Sequence, residues 1–240
     1  MRFFYLCLFI LPFFVSCSDP DTVSTPKENN SSSSMLYHKD ADVLPANKLN
    51  PYDVVGQLHN ELVTTFYAQD TLPISLSAIT NKVVSMAQNN TNFTALGSYT
   101  FNSSARVSYL LSHSGTCQQE VLGTSLVDAS ARSSLSNFID SLISLCAVED
   151  DYNVIYASIV AYENVVLADS SFTLSDKKVM LVTTSVARHA AYLRKKRPKK
   201  NRDPEWNYMV TNIVAATDGA AVGFQEAVMR AVVVGIVENR

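Results

Sequence analysis

The polar residues best suited to chemistry sit close together: Asp53, His59, Asn60 and Glu61. A neutral imidazole beside a carboxylate can move a proton or bind a metal. On a helix, however, positions 53 and 59 are six apart and do not share a face. His59 instead neighbours Tyr52, Val55, Gly56 and Val63, at the edge of an apolar stripe. A histidine there is more often a core residue bonded to a carbonyl or an acid, so the structural reading is preferred and the catalytic one is kept beside it. Asp53 is explained as a helix-capping acid and Gly56 as a place for a close helix crossing. His113 and His189 add no ligand spacing, and the chain has no HExxH, paired CxxC, glycine-rich phosphate loop or G-x-S-x-G elbow. A zinc site from His59, His189 and one carboxylate has nothing specific behind it. No metal and no cofactor are expected.

Two other groups of residues carry charge or redox chemistry. Arg194, Lys195, Lys196, Arg197, Lys199, Lys200 and Arg202 bring seven of the chain's 19 Lys and Arg into one short run, on a chain with 22 Asp and Glu. The run complements the C-terminal end of a preceding helix. Alternatively it is a patch for anionic lipid head groups or another envelope polyanion. No aromatic residue interleaves it to stack bases, so nucleic acid is not expected as a partner. Cys117 and Cys146 form either a disulfide, if the chain is exported, or two buried thiols. Their spacing alone cannot supply the Cα separation that a bridge needs.

The elements that must position these residues begin after an export segment. Arg2 precedes an unbroken apolar run from Phe3 to Val15, too short for a comfortable membrane span and suited to a signal peptide over residues 1–16. The run ends in Phe14-Val15-Ser16-Cys17, which resembles a lipobox, with Phe14 in place of the usual Leu; Cys17 is then the acylated residue. Residues 17–49, rich in Ser, Asn and Thr, read as a flexible tether. From Asn50 the period is helical. Asn50, Pro51 and Asp53 suggest a cap, a first helical position and a capping-box acid. Apolar stripes of period 3.6 then recur over about 75–88, 104–112, 133–148, 152–167 and from Thr173 to the basic run. A last helix follows Asp203-Pro204. Its Ala215, Gly219, Gly223, Ala227, Ala231 and Gly235 recur every four residues, a row that lets a neighbour approach closely. Asp218, Glu226 and Arg230 in that segment argue against a membrane span. With 47% hydrophobic residues and only 7 glycines, the expected fold is all-α. It is a single bundle of six to seven helices over residues 50–240, packed around the small-residue C-terminal helix.

The stretch Asn50-Pro51-Tyr52-Asp53-Val54-Val55-Gly56-Gln57-Leu58-His59-Asn60 resembles a motif, N-P-Y-D-x-V-G-x-x-H-N, near the start of the mature domain in a group of uncharacterised bacterial lipoproteins. The resemblance implies a cell-envelope protein, lipid-anchored to a membrane and expected at the outer membrane, but implies no reaction. The expected role is a non-enzymatic module that binds an envelope protein or an anionic polymer. The alternative is an envelope hydrolase or metal-dependent enzyme using His59 with a nearby acid.

Overall fold

Residues 179–193, 211–220 and 226–236 are buried on every face of the helices that carry them, and the other described helices cover them. The structure, a computed structural model, describes residues 43–196 and 205–239, with side chains outside 195–210. The expected export segment, Cys17 and the expected tether as far as residue 42 lie outside the described residues. So do Arg197, Lys199, Lys200 and Arg202, and the side chains of Lys195 and Lys196.

The described residues form ten α-helices and no strand. They are α1 (Asp53–Tyr67), α2 (Leu76–Gln88), α3 (Thr91–Thr94), α4 (Ser104–Ser112), α5 (Gln118–Ser125), α6 (Ala129–Val148), α7 (Tyr152–Ala168), α8 (Leu174–Lys196), α9 (Glu205–Val222) and α10 (Phe224–Glu238). The expectation of six or seven was too few. Asn90 accepts a bond from the Phe93 amide at 2.9 Å and so starts the one-turn α3 between the stripes at 75–88 and 104–112. The segment after Cys117 is a true helix, α5.

The largest correction is at the C-terminus, where the small-residue row is not one central helix. Gly223 ends α9, bonding the Gly219 carbonyl at 2.9 Å, and its own carbonyl takes the first bond of α10 from Ala227 at 3.0 Å. The chain turns back between those two bonds. A Cβ on Gly219 would lie 2.5 Å from the Ala227 backbone nitrogen, so members of the small-residue row pack against one another across the turn. The row serves a helical hairpin of α9 and α10, joined at the centre by α8.

Around this centre α1 packs on α8, α10 and α2, and α7 packs on α8. The helices α5 and α6 cover α9, and α4 covers α10. Each outer helix presents the stripe its sequence shows: Val55, Leu58, Leu62, Val63 and Phe66 from α1, and Leu135, Phe138, Ile139 and Leu142 from α6, are all buried. Each such side chain contributes roughly 1.5–3 kcal/mol by leaving water. Local chemistry sets the helix starts. Ser75 caps α2 through the Ala78 amide, and Asp151 caps α7 through Asn153. Thr173 accepts the Asp176 amide at 3.0 Å ahead of α8, while the Asp176 carboxylate accepts the Val127 and Asp128 amides and ties the α5–α6 connection to α8.

Candidate functional site

The 50–60 motif lands on the only charged residue between Val179 and Leu193, which is Arg188. The guanidinium is wholly buried. Its Nη2 donates to Asp53 Oδ1 at 2.7 Å and to Glu163 Oε1 at 3.1 Å, and its Nη1 donates to the Pro45 carbonyl. Glu163, equally buried, also accepts from Asn47 Nδ2 at 2.6 Å and Asn50 Nδ2 at 2.7 Å. Asn50 further donates to the Leu181 carbonyl at 2.9 Å and accepts from the Tyr52 amide at 2.9 Å. A buried carboxylate and guanidinium need this many partners, because an unpaired charge in the interior costs several kcal/mol. The segment from Pro45 to Asp53 is thereby clasped onto α7 and α8. Asn50 is not the expected cap: α1 starts after Tyr52 without a side-chain cap, and Asp53 turns to Arg188 instead of reaching back.

The clasp continues along α1. The Gly56 amide donates to Ser185 Oγ at 3.0 Å, and Ser185 Oγ donates to the Asp53 carbonyl at 3.1 Å. A Cβ on Gly56 would lie 2.4 Å from the Ser185 carbonyl oxygen and 2.6 Å from His189 Cδ2, so only glycine lets the two helices come this close. One turn on, His59 is fully buried and its Nε2 lies 3.1 Å from Asn212 Nδ2 of α9. An amide nitrogen is always a donor, so with this amide orientation the imidazole is neutral and bare at Nε2. Its Nδ1 has no hydrogen-bond partner. Glu61, at the solvent side, accepts from Gln57 at 2.8 Å and from Asn90 at 3.0 Å, and the Asn60 Oδ1 has no partner.

Burial sets the electrostatics of the two histidines. It is the main reason that the His59 pKa falls to about 3, helped by the neighbouring His189 and opposed by the Asn212 bond. Burial also lowers His189, partly offset by Asp53, whose Oδ1 is 3.6 Å from His189 Nε2. Asp53 is pushed up by its own burial, but His189 and Arg188 outweigh this and hold it below the usual carboxylate range.

A second charged group closes the α9–α10 corner. Asp218 accepts from Arg106 Nη2 at 2.7 Å and from Arg230 Nη1, and Arg230 Nε reaches Glu226 at 3.1 Å. Ser103 donates to Glu226 at 2.6 Å. The charges that argued against a membrane span are thus paired inside the bundle. Among the described residues no helix is long and apolar enough to cross a membrane. Beside this corner a cleft of about 270 Å³ opens between Gln88, Phe93, Tyr99 and Gln225. No carboxylate, histidine or cysteine lines it.

Asp53 and His59, the two residues singled out first, both reach toward His189 but face different partners. His113 lies apart, just after α4, exposed and stacked on Tyr109. Among the described residues no three His, Cys, Asp or Glu side chains stand together to hold a metal ion. Cys117 and Cys146 are buried free thiols rather than a disulfide. Burial raises both thiols above their ordinary pKa. Of the basic run, Arg194 donates to the Cys146 carbonyl at 2.8 Å. The residues not anticipated are Arg188, Glu163, Ser185 and Asn212. Glu163 had a visible signal: it occupies the same stripe of α7 as Ile159 and Val166. Comparisons with protein-family models, with curated proteins and with solved structures give no match.

Proposed function

We propose that the chain is a non-enzymatic binding module of the bacterial cell envelope, held to a membrane through a lipid on Cys17. The observation that carries the non-enzymatic part is the use of the 50–60 motif. Asn50, Asp53, Gly56 and His59 all face internal partners, so they hold the fold and leave no acid–base pair open to a substrate. General acid–base catalysis needs its groups within hydrogen-bond reach of the reacting atoms, and a fully buried His59 does not offer that. The anchor rests on the lipobox-like Phe14-Val15-Ser16-Cys17 and the polar tract behind it. The outer-membrane location and the polyanion patch at Arg194–Arg202 belong to the same reading.

Gentle extraction of the anchored protein, cross-linking and mass spectrometry test it. A stoichiometric envelope partner supports the module. A protein recovered alone, with no cross-linked neighbour, contradicts it. Cys17→Ser tests the anchor separately: the variant is expected to leave the membrane fraction, and a variant that stays there overturns the lipid attachment.

A further inference from the structure

We propose that the clasp of α1 on α8 and α9 is an acid-sensitive latch, in which protonation of His59 loosens α1 and the segment before it from the central helices. The inference goes beyond the binding role and does not depend on it.

The geometry provides a locked state with no place for a cation. His59 sits between α1 and α9 with no exposed surface. A proton on Nε2 would set its N–H against the Asn212 amide, 3.1 Å away. Turning that amide would restore a bond but would not bring a carboxylate. Of the acids on α1, Asp53 is committed to Arg188 at 2.7 Å and Glu61, at the solvent side, to Gln57 and Asn90; Glu163 of α7 is committed to Arg188, Asn47 and Asn50, and Asp218 of α9 to Arg106 and Arg230. From α8 the ring faces His189, itself buried, whose protonation would add a second positive charge. Of the other elements packed on α1, α10 carries Glu226 and Arg230, bonded to each other, and Glu238 in its last turn. The only charged residue of α2 is Lys82. None of these groups is hydrogen-bonded to His59, whose side-chain partner is Asn212.

The same contacts make the start of α1 respond as one unit. It is joined to α8 through Gly56 and Ser185, at a crossing too close for any side chain. A small displacement there breaks the Ser185 bonds and frees the Asp53 end together. Opening gives His59 back its ordinary basicity, so the open state binds a proton that the closed state excludes. The sign is therefore fixed. The pKa is lowered in the folded protein, so the closed state is fully favoured above about pH 6.5 and loses its advantage as pH falls from there toward 3. At pH 5 the expected gain in the open population from His59 is about 30-fold, a factor of ten for each pH unit below the free value.

Hydrogen exchange of the full chain, read at pH 7.5 and pH 5 and corrected for intrinsic amide chemistry, tests this. Opening of Asp53–Tyr67 is expected to rise about 30-fold or more at pH 5 while Ala129–Val148 of α6 changes far less. In His59→Gln, which keeps an amide contact but cannot be charged, most of that rise should vanish. Unchanged protection of α1 at pH 5, an equal rise in α6, or an undiminished rise in the variant would each overturn the latch. If the variant does not fold, the ring signals of His59 in the wild-type chain decide. No titration between pH 8 and 5 in the closed state supports the latch, and a midpoint near 6.5 without loss of protection refutes it.

Discussion

Replacing Arg188 by methionine isolates the charge at the centre of the clasp, because methionine keeps most of the side chain's length and removes only its charge and donors. In the native protein the guanidinium, with no exposed surface, serves Glu163, Asp53 and the Pro45 carbonyl. Its loss leaves Glu163 buried with only the two asparagine amides, and breaking a buried pair from one side costs about 3–5 kcal/mol. Against a total stability of roughly 5–15 kcal/mol, that is a large share, and at the low end of the range it brings the domain near its unfolding midpoint at room temperature. The double variant Arg188→Met with Glu163→Gln removes both charges, and the new side-chain carbonyl can still accept from the Asn47 and Asn50 amides. It should cost less than Arg188→Met alone, with a coupling of about 2 kcal/mol or more between the two sites. Urea unfolding of the wild type, Arg188→Met, Glu163→Gln and the double variant at pH 7, followed by helical circular dichroism, gives the four free energies at constant m. An Arg188→Met loss below about 1 kcal/mol, or a double variant whose losses simply add, would refute the reasoning that these two charges hold one another in place.

Glycine substitutions separate close packing from helix propensity. Gly56→Ala places a Cβ 2.4 Å from the Ser185 carbonyl oxygen and should lower stability by about 1–2 kcal/mol, overpacking outweighing the gain in propensity. Gly123→Ala, inside α5 with open space around it, should raise stability by about 0.5–1 kcal/mol; thermal melts check both, and the opposite signs would contradict the crossing. Cys117 and Cys146 should resist iodoacetamide in the folded protein and label fully in urea without reductant. Labelling that requires prior reduction would reveal a disulfide and contradict the two free thiols.

The sequence was most informative where one face of a helix meets water. The stripe Tyr52, Val55, Leu62, Val63 and Phe66 could be read because the opposite face of α1 is polar, and in the structure all of it is buried except Tyr52, which precedes α1 and is half-buried. It was least informative at the centre. In α8 the apolar positions Val179, Val182, Val186, Ala190 and Leu193 are buried, but so are Thr183, Thr184, Ser185, Arg188 and His189, because α8 is covered on every side. Periodicity assigns polar positions to solvent and so misplaces a helix whose polar face meets other helices. The break at Gly223 was hidden for a related reason. A small residue at every fourth position fits a continuous close-packed helix and a tight hairpin equally well, and only the fold-back at Gly219 and Ala227 distinguishes them. The 50–60 motif was legible as a unit, but its role was not, since Arg188 and Glu163 lie more than a hundred residues away in sequence.

The claim that the motif is an internal clasp rather than a site is tested most directly by the accessibility of its histidine. Diethyl pyrocarbonate treatment of the folded protein at pH 7, with adducts mapped by mass spectrometry, compares His59 with the exposed His113. Rapid modification of His113 with His59 left intact until denaturant is added is the result expected. Modification of His59 at the rate of His113 in the folded protein would contradict the account and return that residue to a solvent-facing cleft.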